Sequence, residues 1–257
     1  MDLHLDGKTA LVTGSTAGIG LAIASKLAAE GATVTIVGRS QSKLDEAAGK
    51  LKVRALLADP ATAEGAATLV RALPDVDILV NNLGIYESKD FACITDEDWR
   101  RFFEVNVLSG ARLARHYFPG MMKRDWGRII FIASESALVI PPDMIHYGMT
   151  KTAQLAISRG LAGLTRGTRV TVNSVLPGPT RSEGIVDFLK SVADDPQASA
   201  AEIEAAFFAK ERPSSLIQRM IDPEEVANMV AYVASPLSAA TNGAALRVDG
   251  GVVPVIA

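Results

Sequence analysis

Apolar residues along the chain follow two alternating patterns. Short runs rich in β-branched residues predict buried strands, and longer segments with apolar residues every three or four positions predict helices. The predicted strands lie near residues 9–13, 33–37, 53–58, 77–81, 128–133, 169–175 and 244–248, and the predicted helices near 18–29, 41–50, 61–72, 96–122, 146–166 and 223–234. This alternation predicts an α/β fold: a doubly wound parallel sheet of about seven strands with helices on both faces.

One region departs from the alternation. Between Arg181 and Ser215 the chain is helical but irregularly patterned, and the sequences ADDPQAS and ERPSS interrupt it. Elsewhere the chain contains neither a linker rich in proline and glycine nor an internal repeat. We therefore predict a single domain over residues 1–257, with a variable segment at 181–215.

Composition narrows the class of function. Apolar residues make up 48% of the 257 residues, the formal net charge is −3, and no cluster of basic residues suggests binding to nucleic acid. Cys93 is the only cysteine, and no apolar stretch approaches the roughly 18 residues that cross a bilayer. With no secretion signal at the N-terminus, we expect a cytoplasmic protein that does not contact a membrane. No metal site is predicted.

A glycine-rich turn follows the first predicted strand. In TGSTAGIG, Gly14 permits the sharp turn, Gly18 lets the backbone approach a pyrophosphate, and Gly20 allows close packing of the next helix. The N-terminus of that helix presents unpaired N–H groups to phosphates. The turn predicts a dinucleotide site, with Ser15, Thr16 and Ile19 as further contacts.

A second group of residues is suited to proton transfer. Tyr147 and Lys151 lie four residues apart in a predicted helix and therefore share a face, and Ser134 ends the apolar run RIIFIAS. A free phenol titrates near about 10, and we expect the Lys151 ammonium to lower the pKa of Tyr147 toward neutrality. The spacing predicts a phenol acid beside a hydroxyl that holds a carbonyl oxygen.

Together with NNLG at 81–84, EVNV around Asn106, PG at 177–178 and VDGG at 248–251, these motifs resemble those of the short-chain dehydrogenase/reductase family. The resemblance extends from Lys8 to Gly251 and implies a Rossmann-type fold. It also implies hydride transfer between a nicotinamide and a carbonyl carbon. In that reaction Tyr147 transfers the proton and Ser134 binds the substrate oxygen. Lys151 holds the nicotinamide ribose, and Asn106 holds a water against Lys151.

The resemblance assigns further contacts with the cofactor. Asp59 would bind the adenine, although Pro60, the next residue, lacks the N–H that usually joins it. Leu83 replaces the usual alanine of the motif at 81–84, and Ser182 stands where threonine is usual. The remaining contacts that the resemblance implies are Asn81, Gly84, Pro177, Gly178, Thr180 and Ser182.

The end of the second strand bears on the choice of cofactor. A site for NAD(H) would place a carboxylate there, whereas this chain has Arg39 and Ser40, and the nearest acid along the chain is Asp45. Arg39 offers a charged partner to a 2′-phosphate. We predict NADP(H), with NAD(H) as the alternative.

The expected substrate is a hydrophobic ketone or alcohol, or a 3-oxoacyl compound. The resemblance implies that the variable segment at 181–215 covers the substrate, and the alternative interpretation of this segment is an ordinary surface loop. Tyr86, Leu138, Met144, Ile145 and Phe188 are the expected lining, and Arg124, Arg128, Arg166 and Arg169 are a candidate basic patch for an acyl carrier protein. Glu135 is assigned either to the rim of the pocket or to solvated surface, and His146 to packing or to a subunit interface.

Two other functions are alternatives to the reductase. The first is a sugar-nucleotide epimerase, for which the short C-terminal part leaves little room. The second is a non-catalytic dinucleotide-sensing protein, which would not need Ser134, Tyr147 and Lys151 together. Helices 96–122 and 146–166 carry apolar residues on more than one face, so we expect a homodimer or homotetramer.

Overall fold

The computed structural model of the protein describes residues 1–182, 185, 189, 195 and 197–256. Its seven strands form one sheet in the order β3-β2-β1-β4-β5-β6-β7, and every pair is parallel. The strands are β1 Thr9–Val12, β2 Thr33–Gly38, β3 Arg54–Leu57, β4 Ile78–Asn81, β5 Gly127–Ile132, β6 Val170–Pro177 and β7 Ala245–Val248. The predicted seven-stranded parallel sheet is confirmed.

Helices cover both faces of this sheet. They are α1 Gly18–Ala29, α2 Gln41–Leu51, α3 Ala63–Ala72, α4 Asp96–Phe103, α5 Ser109–Lys123, α6 Ile145–Gly163, α7 Ala200–Glu211 and α8 Pro223–Ala234. The helix predicted over 96–122 is confirmed as a continuous helical stretch, within which a π-helical turn at Glu104–Leu108 separates α4 from α5. An apolar pattern does not register one extra residue in a helical turn, so the sequence did not show the π-helical turn.

The core consists of two layers, one on each face of the sheet. Alternate residues of a strand point to opposite faces, so Val12 packs with α1, α2 and α8 whereas its neighbour Leu11 packs with α3, α5 and α6. Both layers consist of buried aliphatic side chains, and the second also contains Tyr117 and Phe131. Burial on both faces explains why the strands are continuous apolar runs instead of alternating ones.

The order of the strands determines where a ligand can bind. Because β1 lies between β2 and β4, the chain leaves β1 toward one edge of the sheet and later returns on the other side. A crevice forms beyond the carboxyl ends of the strands at such a switch point. The glycine turn follows β1 and Ser134 follows β5, so both predicted motifs lie at this crevice.

The described part of segment 181–215 has a small core of its own. Phe207 and Phe208 of α7 pack with Ile203 and Met220, and the backbone of Thr180 pairs with that of Ile221. The segment is thus anchored at both ends beside the carboxyl edge of the sheet. Phe188 lies outside the described residues.

The candidate basic patch does not form from all four arginines, because Arg128 is not at the surface. Arg128 is 1% exposed and donates to the backbone carbonyls of Gly127, Arg169 and Ser235. Arg124 pairs with Asp75, and Arg169 pairs with Asp125. Within the described ranges, none of the helices is long and apolar enough to cross a membrane.

Candidate active site

The glycine turn has the conformation that the sequence predicted. Gly14 and Gly18 adopt positive φ angles of 59° and 52°, where a side chain would be strained. A Cβ on Gly20 would lie 2.2 Å from the carbonyl oxygen of Gly14, so α1 approaches the turn as closely as backbone permits. The side-chain amide of Asn82, which follows β4, donates to the carbonyls of Thr13 and Gly14 and holds the turn in place.

The two polar residues of the turn support its backbone. The buried Ser15 hydroxyl donates to the carbonyl of Val12 at 2.7 Å and accepts the N–H of Val37 at 3.0 Å, so it joins β1 to β2. The methyl group of Thr16 lies against Gly38, where a Cβ would approach it to 2.7 Å. The Ser15 side chain therefore stabilises the turn, whereas the Thr16 methyl group packs against the end of β2.

The start of α1 presents N–H groups toward the crevice. Ala17 at its N-cap has no side chain that can accept a hydrogen bond, and the first turn carries no carboxylate. Ile19 lines the cleft, and Ser182 lies next to Gly18. An uncapped helix start beside a glycine cradle fits the pyrophosphate of a dinucleotide.

Arg39 and Asp59 lie together beyond β2 and β3. Arg39 is largely exposed, and its guanidinium lies 4.0 Å from the Asp59 carboxylate. Asp59 also accepts the N–H of Ala61, the residue after Pro60. Ser40, at the N-cap of α2, contacts Ser42. Along the chain the acid nearest to Arg39 is Asp45, whereas in the folded protein the more distant Asp59 lies beside Arg39.

The structure places Asn81 behind the cleft and Asn82 in it. Asn81 is buried next to Gly110, and neither atom of its side-chain amide has a hydrogen-bond partner among the described residues. Asn82 lines the cleft, together with Gly84. The side chain of Asn81 therefore does not line the cleft, and a cofactor contact by Asn81 stays a prediction. Two identical neighbouring residues offered no signal in the sequence to distinguish them.

Ser134, Tyr147 and Lys151 meet in one cleft of about 210 Å³. Ser134 follows β5, whereas the other two project from one face of α6. The Tyr147 hydroxyl lies near enough to Ser134 for the serine to lower its pKa, and the Lys151 ammonium lies 5.6 Å from the centre of the Tyr147 ring. Lys151 is buried and donates to the carbonyl of Ile132 at 3.0 Å.

The expected lowering of the Tyr147 pKa is wrong. Burial of the phenol raises the pKa of Tyr147, the negative charge of Glu135 raises it further, and the Ser134 side chain acts in the opposite direction. Burial also lowers the pKa of Lys151 to about 8, against the influence of Glu135. The sequence showed the neighbouring cation but neither the loss of solvent nor the nearby carboxylate.

Glu135 is part of the cleft. It is 4% exposed, accepts a hydrogen bond from the Ser134 hydroxyl, and pairs with the Arg212 guanidinium at 3.2 Å. The assignment to solvated surface is therefore wrong. Arg212, which follows α7, was missed entirely, because it lies 77 positions from Glu135 along the chain.

Asn106 lies in the π-helical turn and is buried. Its side-chain amide accepts the N–H of Ile85 and donates to the carbonyl of Ile85 and the hydroxyl of Thr150, at 2.8–3.0 Å. Its backbone carbonyl accepts a hydrogen bond from Gln154. A Cβ on Gly84 would lie 3.6 Å from the Asn106 side-chain oxygen and 3.4 Å from the Lys151 ammonium. Asn106 thus holds the loop that borders Lys151.

The loop after β6 closes another side of the cleft. Pro177, Gly178, Thr180 and Ser182 all line it. A Cβ on Gly178 would lie 2.7 Å from the carbonyl oxygen of Asp249, so only glycine fits there. The Thr180 hydroxyl donates to the carbonyl of Gly178, so this side chain is tied to the loop's own backbone.

The apolar wall differs in part from the expected one. Tyr86 and Met144 line the cleft, joined by Ile185 and Phe207 of segment 181–215. Leu138 and Ile145 do not line it, and Leu138 is 46% exposed. His146 is buried against Trp99 and Phe102, with ring centres 6.1 and 4.1 Å away, so its assignment to packing is confirmed.

Comparisons with known proteins agree with this geometry. A family model described as enoyl-(acyl carrier protein) reductase matches residues 14–253. The uncharacterized oxidoreductase YvaG of Bacillus subtilis (strain 168) is 52% identical over 260 residues, with 98% of each chain covered. The 3-oxoacyl-acyl-carrier-protein reductase FabG of Escherichia coli (strain K12) is 34% identical over 256 residues, covering 97% of this chain and 98% of that protein. The crystal structure of L-sorbose reductase from Gluconobacter frateurii, complexed with NADPH and L-sorbose, matches with a TM-score of 0.90 and 33% identity, covering 100% of both chains.

These matches extend over nearly the whole chain, and the predicted family and reaction class are confirmed. The chain belongs to the short-chain dehydrogenase/reductase family and is an NAD(P)-dependent oxidoreductase that acts on a ketone or an alcohol.

Proposed function

We propose that the protein reduces a ketone, with Tyr147 as the proton donor and Ser134 as the group that binds the substrate oxygen. When bound, the nicotinamide dinucleotide supplies the hydride. The observation that carries the proposal is the meeting of Ser134, Tyr147 and Lys151 in one cleft beside the glycine turn. A hydroxyl and a phenol that both reach one oxygen stabilise the negative charge that develops there as the carbonyl is reduced.

The raised pKa of Tyr147 supports reduction, not oxidation, as the direction of the reaction. Burial and Glu135 raise the pKa of this phenol, so it retains its proton at neutral pH. A protonated phenol can give that proton to the alkoxide oxygen. Lys151 can then compensate the negative charge left on Tyr147, because the pKa of Lys151, about 8, is close to neutrality. The water path through Asn106 remains a prediction.

We assign the cofactor contacts to three groups of residues that border the crevice. The backbone of the glycine turn and the start of α1 take the pyrophosphate, the loop after β6 takes the nicotinamide carboxamide, and Lys151 takes the nicotinamide ribose. Gly84 and Asn82 border the adjoining ribose, and Asp59 borders the adenine. Tight glycine positions in the turn and in the loop after β6 support this arrangement, because a Cβ would fill the space that the backbone needs.

We propose NADP(H) as the preferred cofactor. Arg39 is largely exposed at the end of β2, where its guanidinium is free to turn toward a 2′-phosphate. The carboxylate of Asp59, 4.0 Å away, competes for the same guanidinium. Arg39 therefore has to leave Asp59 in order to bind the 2′-phosphate. The bound NADPH of the L-sorbose reductase structure also supports this choice.

The substrate that fits the cleft has an apolar body. Met144, Ile185 and Phe207 line the cleft, and the last two belong to the described part of segment 181–215. FabG acts on a 3-oxoacyl group, and the L-sorbose reductase structure contains a keto sugar. The reacting group that we assign is therefore a ketone with a substituent that reaches segment 181–215.

We further propose a single cytoplasmic domain that assembles as a homodimer or homotetramer. Apolar side chains that remain exposed support assembly, among them Phe103 at the end of α4 and Leu164 just after α6. The tail beyond Val253 adds the exposed Val255 and Ile256. A monomeric mass in solution would contradict this part of the proposal.

The reaction is tested by following NADPH oxidation with a panel of ketones, acyl thioesters and quinones. We expect at least one ketone to be reduced, and Tyr147→Phe to lower kcat by about 100- to 10,000-fold because the proton donor is lost. Tyr232→Phe, on the exposed face of α8, is the matched control. NADPH fluorescence should show binding by both variants.

Two results would overturn the proposed function. If Tyr147→Phe retained a tenth of the rate, another acid would have to donate the proton. If the wild-type protein bound NADPH tightly but reduced none of the compounds, the alternative of a dinucleotide-sensing protein would be favoured instead.

A further inference from the structure

Glu135 and Arg212 form a polar pair in a wall of the cleft that is otherwise mostly apolar. Glu135 begins a short 3-10 turn directly after Ser134, whereas Arg212 arrives from the opposite side at the end of α7. The Arg212 guanidinium donates to one carboxylate oxygen of Glu135 and lies 5.7 Å from the centre of the Phe207 ring. Both side chains line the cleft and are largely buried.

The proton of the Ser134 hydroxyl creates a conflict at this pair. A hydroxyl has one proton, and Ser134 donates it to the second carboxylate oxygen of Glu135. Its oxygen meanwhile accepts the N–H of Ser136 at 3.1 Å. Ser134 cannot donate this proton to a substrate carbonyl while it donates it to Glu135. That change leaves a buried carboxylate oxygen without its donor, which is costly in a site with little solvent.

A substrate can resolve this conflict if it brings a donor of its own. In a ketone with a hydroxyl on the carbon next to the carbonyl, the hydroxyl oxygen can lie close to the carbonyl oxygen. The distance between these two oxygens is then about that between two hydrogen-bonded oxygens. The same spacing separates the Ser134 hydroxyl from the carboxylate oxygen that it contacts. The substrate hydroxyl can therefore replace Ser134 as the donor to Glu135 while Ser134 turns its proton to the carbonyl oxygen.

We propose that Glu135 and Arg212 form a subsite for a hydroxyl group adjacent to the reacting carbonyl, so that the preferred substrates are α-hydroxy ketones. Within this subsite Glu135 accepts the substrate hydroxyl, and Arg212 balances the charge of Glu135 and fixes its position. The inference rests on the proposed ketone reduction and names its substrate class.

The same arrangement selects against other ketones. An alkyl group at this position leaves the carboxylate oxygen of Glu135 without a donor, and a carboxylate at this position meets a like charge. The remainder of the substrate contacts Met144, Ile185 and Phe207, so an aromatic or aliphatic body is accepted beside the subsite.

The test compares two ketones that differ only at the proposed hydroxyl. The pair is 2-hydroxyacetophenone and propiophenone, in which a methyl group replaces the hydroxyl. We expect kcat/KM of the wild-type protein with NADPH to be about 10- to 100-fold higher for the hydroxy ketone, the range expected for one hydrogen bond to a charged group.

Variants at Glu135 show whether this residue is the source of the preference. Glu135→Leu should bring the ratio of the two kcat/KM values to within about threefold of unity, because the carboxylate that discriminates is gone. Glu135→Gln keeps the shape and an accepting oxygen, and should retain an intermediate ratio. Glu211→Gln, on an exposed neighbour of Arg212, is the matched control and should keep the wild-type ratio. Thermal unfolding and NADPH fluorescence establish that each variant folds.

The outcomes separate this inference from the proposed function. A wild-type protein that reduces both ketones with equal efficiency would overturn the α-hydroxy ketone subsite and leave ketone reduction standing. An equal loss with both ketones in the Glu135 variants would show a purely structural role and overturn it as well. A protein that reduces other ketones but neither of this pair would overturn the subsite alone, whereas one that binds NADPH but reduces no ketone at all would remove the proposed reaction and the subsite together.

Discussion

At the scale of single residues, the chemistry of the cleft depends on how burial and one carboxylate set the acidity of Tyr147. Burial and Glu135 both raise the pKa of this phenol, while the Ser134 side chain opposes them. Reduction uses the protonated phenol, which is present below that pKa and is lost as the pH rises through it. Oxidation of an alcohol uses the phenolate, so its rate rises over the same alkaline range.

Removal of the Glu135 charge should move both pH profiles in one direction. Glu135 raises the pKa values of Tyr147 and Lys151, so Glu135→Gln should lower both. We expect the alkaline rise of alcohol oxidation, and the alkaline fall of ketone reduction, to shift to lower pH. The measurement is kcat/KM against pH in both directions, with Glu211→Gln as the control. A shift to higher pH would contradict the assigned role of the Glu135 charge.

Arg39 should decide between the two nicotinamide cofactors. Loss of a charge-assisted hydrogen bond to a 2′-phosphate costs about 1.5–3 kcal/mol, so Arg39→Ala should lower kcat/KM for NADPH by about 10- to 100-fold. The value for NADH should change little, because its ribose carries no phosphate. Arg71→Ala, at an exposed position at the end of α3, serves as the control. Equal losses with both cofactors would contradict the assignment.

At the scale of elements, helix α1 positions the site through its contact with the glycine turn. A Cβ on Gly20 would lie 2.2 Å from the carbonyl oxygen of Gly14 and 2.5 Å from the amide nitrogen of Asn82. Neither the backbone of the turn nor the hydrogen-bonded amide of Asn82 can move without cost. The absence of a side chain at Gly20 therefore keeps the N-terminus of α1 where a pyrophosphate can reach it.

Gly20→Ala should displace α1 and weaken the dinucleotide site. We expect the free energy of unfolding to fall by about 1–3 kcal/mol, the usual cost of forcing extra atoms into a packed site. The Kd for NADPH should rise by about tenfold or more, since about 1.4 kcal/mol of lost binding free energy corresponds to tenfold. Urea unfolding and NADPH fluorescence measure the two effects.

Gly49→Ala provides the control for this substitution within another helix. A Cβ on Gly49, in α2, would have no atom within 4 Å, so alanine should stabilise the protein by about 0.5–1 kcal/mol. Its NADPH affinity should match that of the wild-type protein. If the two alanine variants behaved alike, the close approach of α1 to the turn would not be what holds the site.

At the scale of the whole molecule, the sheet brings together residues that lie far apart along the chain. Arg128 of β5 is an example on the side opposite the cleft, because it joins the chain before β6 to the end of α8 through the carbonyls of Arg169 and Ser235. Its guanidinium also lies 4.8 Å from the centre of the Trp126 ring. Burial lowers the pKa of Arg128 to about 10. The side chain therefore belongs to the core of the molecule.

Arg128→Ala should destabilise the protein by about 2–4 kcal/mol, because buried carbonyl groups lose their donor and a cavity remains. Arg166→Ala removes the same side chain from an exposed position, so its effect should lie within about 0.5 kcal/mol. Urea unfolding at neutral pH compares the two. A small effect at Arg128 would mean that its hydrogen bonds contribute little net stability.

The sequence by itself determined the local features of this protein. Apolar runs and helical spacing predicted the seven strands and most helix limits, because each depends on residues close together along the chain. The order of glycines predicted the turn after β1, and the spacing of Tyr147 and Lys151 predicted one face of α6. Contacts within a strand or a helical turn follow from a repeating backbone geometry, so they are legible in the sequence.

Only the tertiary structure decided which distant side chains share an environment. It joined Arg212 to Glu135 and Asp59 to Arg39, placed Asn82 in the cleft instead of Asn81, and buried Arg128. It also reversed the expected direction of the Tyr147 pKa, since desolvation and the Glu135 charge outweigh the favourable contacts of the phenolate. Burial and long-range pairing arise when helices pack on the sheet, and no short stretch of sequence contains that information.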